Sequence, residues 1–369
     1  MTGKAFTPAP LGRITLANHL VMAPMTRSRA PGSIPNALMA EYYRQRATAG
    51  LIVTEGTAPA PEGLGYARIP GLFNEEQVGG WRLTTTAVHD AGGRVFVQLM
   101  HAGRIFHELN LPAGAQGVAP SSVAAAGQMW TDQQQLQPMG TPRALATDEL
   151  SQVRDQFVRS AQLGIEAGFD GVELHGANGY LLEQFLHPRS NQRSDAYGGS
   201  VRNRARFVLE VTRGVADAIG ADRTGIRLSP WSTASDLTHY PEIDEAYGYL
   251  AEELQKIGIV YVHLVDHSRL STLDSAAATM QIVRDTFRNT VIHSGNYTTL
   301  ADIEQTLSDP RPALVAMARP FIANPDLVER LRLGLPLAEP DKATFYAPGP
   351  NGFADGYTDY QAIATAAAR

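Results

Sequence analysis

Eight times along the chain a short apolar run bounded by turn residues is followed by a stretch with helical periodicity. This alternation constrains the fold more than any other feature. The expected strands are Leu20–Ala23, Leu51–Thr54, Arg94–Leu99, Gly171–Leu174, Thr224–Leu228, Ile259–Leu264, Thr290–His293 and Ala313–Met317. The expected helices are Asn36–Ala49, Glu75–Ala91, Asp148–Ala167, Asn203–Ile219, Asp244–Ile257, Ser275–Phe287, Thr299–Leu307 and Asp326–Leu333. Asp148, Asp244 and Thr298 or Thr299 stand where N-caps belong. Gly50, Gly92, Gly168, Gly220, Gly258 and Gly334 stand where helices end. The pattern predicts an α/β fold, a single (β/α)8 TIM barrel. A doubly wound open sheet would carry a glycine-rich turn after its first strand, and Ala23-Pro24-Met25-Thr26 is not one.

Such a barrel needs about 250 residues, and the chain has 369. The excess lies in three places. Leu11–Thr15 followed by Leu16–Asn18 reads as a β-hairpin capping the N-terminal end of the barrel. Residues 100–147, rich in Pro, Gly, Ala and Gln, form an insertion after the third strand, too long for an ordinary loop. The tail, residues 336–369, carries Phe345, Tyr346, Phe353, Tyr357 and Tyr360 and is expected to pack back over the barrel. No repeat or linker divides the chain, so residues 1–369 read as one domain. With 44% hydrophobic and 18% charged residues there is material for a large core, which excludes disorder. A net charge of -6 without a Lys/Arg block argues against nucleic-acid binding. The absence of cysteine excludes disulfides, thiolate metal sites and cysteine nucleophiles. No 18-residue apolar run is present to span a membrane, and Met1 to Arg13 lacks the apolar core of a signal peptide. A cytoplasmic enzyme is the expectation.

Reactive groups in these barrels come from the C-terminal strand ends, and alternation along each strand says which side chains turn inward. Val95, Val97 and Leu99 face one way, Gln98 and Met100 the other. Val172 and Leu174 face the helices and leave Glu173 and His175 inside; Ile226 and Leu228 likewise leave Arg227 inside. An inward arginine is costly unless an anion or strong acceptor meets it. A structural ion pair with Glu173 is the alternative. Gln98, His175 and Arg227 at one mouth point to a bound polar heterocycle. Ser294-Gly295-Asn296 and Ala318-Arg319-Pro320 follow the last two strands, where many barrels hold a phosphate. Gly295 permits close backbone approach and Arg319 supplies a bidentate cation. In His175-Gly176-Ala177-Asn178-Gly179-Tyr180, the histidine and asparagine can share one oxygen atom in the manner of an oxyanion hole. Tyr180, protonated at neutral pH, can give a proton to a carbanion. The alternative there is a histidine N-cap beside a packed tyrosine.

These residues sit in longer strings that resemble the old yellow enzyme family of FMN-dependent ene-reductases, from about Phe6 to Tyr360. The strings are Asn18-His19-Leu20-Val21-Met22-Ala23-Pro24-Met25-Thr26-Arg27, Glu41-Tyr42-Tyr43 and Gly50-Leu51-Ile52-Val53-Thr54-Glu55-Gly56. They continue with Gln98-Leu99-Met100-His101-Ala102-Gly103-Arg104, the His175–Leu182 stretch, Asp195-Ala196-Tyr197-Gly198-Gly199-Ser200 and Arg319-Pro320-Phe321-Ile322-Ala323-Asn324-Pro325-Asp326. The resemblance implies tightly bound, non-covalent FMN, with NADPH or NADH as reductant. The implied reaction is reduction of the C=C bond of α,β-unsaturated carbonyls or nitroalkenes. By the same resemblance Thr26 bonds the flavin carbonyl near the reactive nitrogen, with Pro24, Met25 and Gly56 as backbone walls. Gln98 and Arg227 hold the pyrimidine edge, and Gly295, Asn296, Ala318 and Arg319 hold the phosphate. His175 and Asn178 bind the substrate's oxygen, Tyr180 is the proton donor, and Tyr66 and Tyr346 line the substrate pocket. Arg143, on the insertion, meets the nicotinamide cofactor's phosphate.

The chain departs from the family pattern at three positions. Met100 stands where tryptophan is usual, which predicts a wider, more adaptable pocket. Ala318 stands where glycine commonly precedes the phosphate arginine, tolerable if its φ is negative. Gln361 follows Tyr360 where the family has proline. Other chemistries remain as alternatives. A nitroester or nitroaromatic reductase would use the same site. A metal-dependent hydrolase finds no His-x-His pair or HExxH helix among ten scattered histidines, and His263 and His293 read as barrel-core or loop residues, so no metal is expected. A non-catalytic flavin binder would have no use for Tyr180.

Overall fold

Side chains alternate across each strand, so the eight apolar runs offer one face to the helices and one to the barrel interior. The computed structural model describes residues 3–270 and 274–363. The chain begins with the hairpin β1 (Ala9–Leu11) and β2 (Ile14–Leu16), then β3 (Leu20–Met22), α1 (Ala37–Arg44), β4 (Leu51–Thr57), α2 (Glu75–Asp90) and β5 (Val95–Leu99). The insertion contributes β6 (Val118–Ala119), β7 (Gln128–Thr131), β8 (Gln135–Pro138) and β9 (Arg143–Ala144). Next come α3 (Glu149–Glu166), β10 (Gly171–Gly176), α4 (Leu181–Leu186), α5 (Val201–Ile219), β11 (Thr224–Leu228) and α6 (Ile243–Ile257). The order ends with β12 (Tyr261–Val265), α7 (His267–Leu270), α8 (Asp274–Thr286), β13 (Thr290–Ser294), α9 (Leu300–Leu307), β14 (Ala313–Met317), α10 (Arg319–Ala323) and α11 (Leu327–Leu333).

Strands β3, β4, β5 and β10 to β14 close into a parallel barrel, with β14 pairing β3. Val95, Val97, Leu99, Val172, Leu174, Ile226 and Leu228 pack in the layer between strands and helices. The interior layer is Val21, Leu51, Val53, Phe96, Tyr261, Ile292 and Leu314, closed from below by Ala9, Leu11 and Leu16 of the hairpin. The hairpin turns at Gly12 and Arg13, within the segment the sequence pattern reads as its first strand. That leaves the interior apolar at the bottom and polar only at the top.

Helix ends differ from expectation in places. Helix α1 stops at Arg44, short of Ala49, and Gly50 is not its cap. Gly50 is there for space: a Cβ on it would lie 2.1 Å from the Asn18 carbonyl oxygen. Asp148 occupies the N-cap of α3 without a side-chain cap bond, while the Glu149 carboxylate accepts from the Ala146 N–H at 2.7 Å. Asp244 lies inside the first turn of α6. Thr299 does cap α9, its hydroxyl accepting from the Asp302 N–H at 3.2 Å.

Past α11 the chain runs back across the top of the barrel, held by buried arginines. Arg27 donates to the carbonyls of Phe345 (3.1 Å) and Gly356 (2.7 Å). Arg29 donates to those of Phe353 (3.0 Å) and Thr344 (2.8 Å). Arg46 lies 3.8 Å over the Tyr42 ring, which stacks on Tyr357 at 4.0 Å. Each guanidinium is out of water, so its cost of burial is met by several carbonyl acceptors and an aromatic face. Replacing Arg29 by Met should therefore loosen the tail but spare the barrel. Trypsin cleavage after Lys342 is expected to accelerate at least tenfold with little change in the main urea transition, and an unchanged cleavage rate would count against the clamp.

Candidate active site

A cavity of about 280 Å³ opens at the C-terminal ends of the strands. Pro24, Met25 and Thr26 enter it after β3, Gly56 from β4, Gln98 and Met100 from β5, and His175 from β10. Asn178 and Tyr180 reach it from the next loop, Ala318 and Arg319 from beyond β14, and Tyr346 from the tail. The β4–β5 register slips between Val53 and Gly56, a bulge of the kind that re-aims residues beside active sites. Met100 fills the space above Gly56, where a Cβ would lie 2.5 Å from its sulfur. Four expected site residues lie outside this lining. Arg227 is one strand further round, registered with His175. Gly295 and Asn296 follow β13, and Tyr66 lines an adjoining cavity.

Beneath the mouth sits Glu173, fully buried. Its carboxylate accepts from Gln98 Nε2 at 2.8 Å, His263 Nδ1 at 2.8 Å and the Tyr261 hydroxyl at 3.1 Å. Burial works against the ionised carboxyl, but these donors and the nearby charge of Arg227 hold it below the ordinary carboxylate range. The direct ion pair between Arg227 and Glu173 does not form; His263 takes that position. Arg227 Nη2 reaches Ser294 Oγ at a long 3.4 Å, and its Nε and Nη1 have no partner although buried. His175 Nδ1 is likewise without a partner. Orphaned buried donors are rare and call for an acceptor. A planar, electron-rich heterocycle gripped by Gln98 and Arg227 fits that demand, so these residues fit FMN.

His175 is the fifth residue of β10, not a helix cap, and its ring meets that of Tyr180 edge-on at 4.8 Å. Burial, then the charge of Arg227, pushes the imidazole well below its usual pKa and leaves it neutral. Burial, then Tyr66, pushes the Tyr180 phenol well above 10 and keeps it protonated. Tyr66 and Tyr180 share a hydrogen bond of 2.9 Å. The loop between His175 and Tyr180 is left-handed at Asn178 (φ 57) and Gly179 (φ 80), a shape that needs outside support. Glu183 and Ser229 provide it. Ser229 Oγ accepts from the Asn178 N–H at 2.7 Å, and the Glu183 carboxylate accepts from the Gly179 N–H at 2.6 Å, from Ser229 and from the Tyr247 hydroxyl. Neither support was singled out from the sequence, which predicts no helix at Glu183.

On the far side, Arg319 is exposed and forms no ion pair with the described residues. Ala318 has φ -102, so the missing glycine costs no strain. The Gly295 carbonyl accepts from Arg269 Nε at 2.9 Å, which brings a second guanidinium to that corner. Arg143 lines neither the cavity nor its neighbour and is held by Glu149 at 2.7 Å. Arg27, Ile322 and Phe345 also line the cavity, although the sequence reading gives none of them a site role. In the sequence Arg27 and Ile322 belong to the strings that resemble the family, and Phe345 adjoins Tyr346 in the aromatic tail.

Residues 4–338 match the model of the NADH:flavin oxidoreductase / NADH oxidase family. The chain is 41% identical over 372 residues to chanoclavine-I aldehyde reductase fgaOx3 of Penicillium roqueforti, covering 97% of this chain and 96% of that one. It is 38% identical over 376 residues to 12-oxophytodienoate reductase 7 of Oryza sativa subsp. japonica, covering 96% and 93%. Morphinone reductase in complex with tetrahydroNAD superposes with a TM-score of 0.92 at 42% identity, over 100% of each chain.

Burial raises the Glu183 carboxyl to about 7. The folded chain thus keeps a proton that the unfolded chain releases near pH 4.3. The stabilisation from that proton is complete below the unfolded value and is lost as the pH rises through the folded one. At 1.36 kcal/mol per unit this amounts to roughly 4 kcal/mol. In paired urea titrations, wild-type stability relative to Glu183→Gln should fall from pH 4 to pH 8; a constant difference would contradict the assignment.

Proposed function

The chain belongs to the NADH:flavin oxidoreductase / NADH oxidase family, the old yellow enzyme family, and we propose that its cavity is the joint FMN and substrate site. The protein is an FMN-dependent oxidoreductase that uses a reduced nicotinamide cofactor to reduce the C=C bond of activated alkenes. The observation that carries the site assignment is the pair of orphaned Arg227 nitrogens beside Gln98, with the His175–Tyr180 loop over the same mouth. Gln98 and Arg227 would hold the pyrimidine edge of FMN, Thr26 a ring carbonyl, and Pro24, Met25 and Gly56 the flanks. Gly295, Asn296, Ala318 and Arg319 would hold its phosphate. When bound, FMN supplies hydride chemistry between the nicotinamide and the alkene's β-carbon.

The chain's own residues do the rest. His175, a neutral imidazole, and Asn178 bind the substrate's carbonyl or nitro oxygen and stabilise the negative charge that develops on it. A single donor of this kind is typically worth about 2.7–4 kcal/mol. Tyr180 Oη gives its proton to the α-carbon, which completes addition of hydride and proton across the double bond. Tyr66, hydrogen-bonded to that oxygen, fixes the phenol. Met100, Tyr66 and Tyr346 shape the substrate's surroundings. NADH and NADPH are both candidate reductants, and the cytoplasm is the proposed location. Among the described residues no helix is long and apolar enough to cross a membrane. The named relatives are reductases of 12-oxophytodienoate, morphinone and chanoclavine-I aldehyde, not of nitro compounds, so nitroester and nitroaromatic reduction is the weaker reading.

Under anaerobic conditions NADH or NADPH should bleach the visible absorbance of the holoprotein, and 2-cyclohexenone should restore it. A yellow protein that stays coloured with both would overturn the assignment. Tyr180→Phe should slow recolouring by about 10²–10⁴-fold, the usual worth of a general acid, with bleaching nearly unchanged. Equal loss in both half-reactions would remove Tyr180 from the proton-donor role.

A further inference from the structure

We infer that Glu183, a residue outside the cavity, is a positioning residue for the alkene half-reaction and works in its ionised form, holding the Asn178–Gly179 backbone in the shape that presents Asn178 and Tyr180 to the substrate. The inference rests on the functional reading above and adds to it a group that touches neither flavin nor substrate. Asn178 and Gly179 are both left-handed, and all four polar groups of their backbone are met by side chains. The Asn178 N–H donates to Ser229 Oγ at 2.7 Å, and its carbonyl accepts from Ser235 Oγ at 2.8 Å. The Gly179 N–H donates to Glu183 Oε2 at 2.6 Å, and its carbonyl accepts from Gln184 Nε2 at 2.7 Å. A non-glycine residue keeps such a backbone only where its surroundings over-determine it. Of the four clamping side chains, Glu183 alone can change its charge.

Hydrogen counting shows which form suits the clamp. Ser229 Oγ takes the Asn178 proton, so its own hydrogen is free for Glu183, whose oxygens lie 2.8 and 3.0 Å away. Tyr247 Oη, on α6, donates to Glu183 Oε1 at 2.8 Å. Three donors thus converge on one carboxyl group, and the anion accepts them all. A bond to a charged acceptor is roughly twice as strong as one to a neutral group. The acid form carries a hydrogen of its own, which within this set only the Ser229 or Tyr247 oxygen can receive. That hydroxyl must then turn its hydrogen away in a buried place, and the clamp slackens. Burial works the other way and brings the carboxyl up to about 7, against the bonds from Gly179, Tyr247 and Ser229. The groups facing it hold their charge as the pH passes 7. Burial pushes Tyr240 and Tyr247 above 10 and His187 below its usual range. Behind them Arg204 lies over the Tyr240 ring and faces Glu242, while Arg104 donates to the carbonyls of Ser235 and Asp236. In the cavity itself His175 and Tyr180 are driven away from 7 in opposite directions. Misplacing reacting groups by about 1 Å can cost 10²-fold in rate, so a slack clamp is felt at Tyr180.

The test starts from holoprotein reduced with one equivalent of dithionite and follows recolouring without oxygen at pH 6, 7 and 8. The oxidant is either 2-cyclohexenone or ferricyanide, which takes electrons without help from Asn178 or Tyr180. In the wild type the enone rate should fall roughly threefold or more from pH 8 to pH 6. Glu183→Gln, whose amide cannot accept from all three donors, should be as slow at pH 8 as the wild type at pH 6, and flat between. Ferricyanide should recolour both proteins at rates within about twofold of each other at each pH. Tyr247→Phe removes one donor to the carboxylate and keeps the ring, so the midpoint should move up by about half a pH unit or more. A flat enone rate in the wild type would overturn the inference. So would a limb that survives in Glu183→Gln, which would belong to Glu55, the other buried carboxyl raised to about 7, or to the flavin. Equal losses with ferricyanide would do the same, since the damage would then lie at the flavin. Should Glu183→Gln fail to fold in a thermal melt, an unmoved midpoint in Tyr247→Phe overturns the inference by itself. A wild type recoloured by ferricyanide but never by the enone would instead strike the functional reading beneath it.

Discussion

One buried carboxylate organises the mouth of this barrel. Glu173 sits where the interior changes from apolar to polar and is reached by donors from β5 and β12, with the charge of Arg227 on β11 nearby. A carboxylate out of water is tolerable only when its lone pairs are met. The groups that meet it are thereby fixed in turn. Gln98 is held by its amide nitrogen, and His263 keeps Glu173 from closing on Arg227. The arginine is left cationic with two free donors. The network thus stabilises the barrel top and keeps Arg227 Nε and Nη1 uncommitted to other protein groups.

The rest of the site is assembled from parts with separate supports. The His175–Tyr180 loop departs from easy backbone geometry at two successive residues and is held from behind by Ser229 and Glu183. The tail that brings Tyr346 to the mouth is held by Arg27 and Arg29, far from it in sequence. The hairpin of the insertion is tied to that tail through Arg68. Gln98, His175 and Arg227 stand on strands closed into a rigid ring, whereas Tyr180, Tyr346 and Trp130 stand on loop, tail and hairpin.

Much of this was legible in the residues. Eight apolar runs and their helices predicted the closed barrel, and strand boundaries agree with expectation to within a few residues because turn residues mark them sharply. Alternation placed Gln98, Glu173, His175 and Arg227 inside because the opposite face of each strand is aliphatic. Boundaries failed where a local signal had another cause. Gly50 ends no helix but makes room for Asn18, and Asp244 looked like a cap but lies within α6.

By itself, then, the sequence determined the barrel and the identity of the groups at its mouth, because periodicity and local turn chemistry act over a few residues at a time. It could not decide which polar groups would satisfy one another. Glu173 chose His263 over Arg227, and Ser229 became the brace of the Asn178 backbone. The tail and the insertion hairpin came to face each other across one cavity. Those pairings join residues tens to hundreds of positions apart. They depend on the closure of the ring, which alone sets the distances between strands that are not neighbours in the chain.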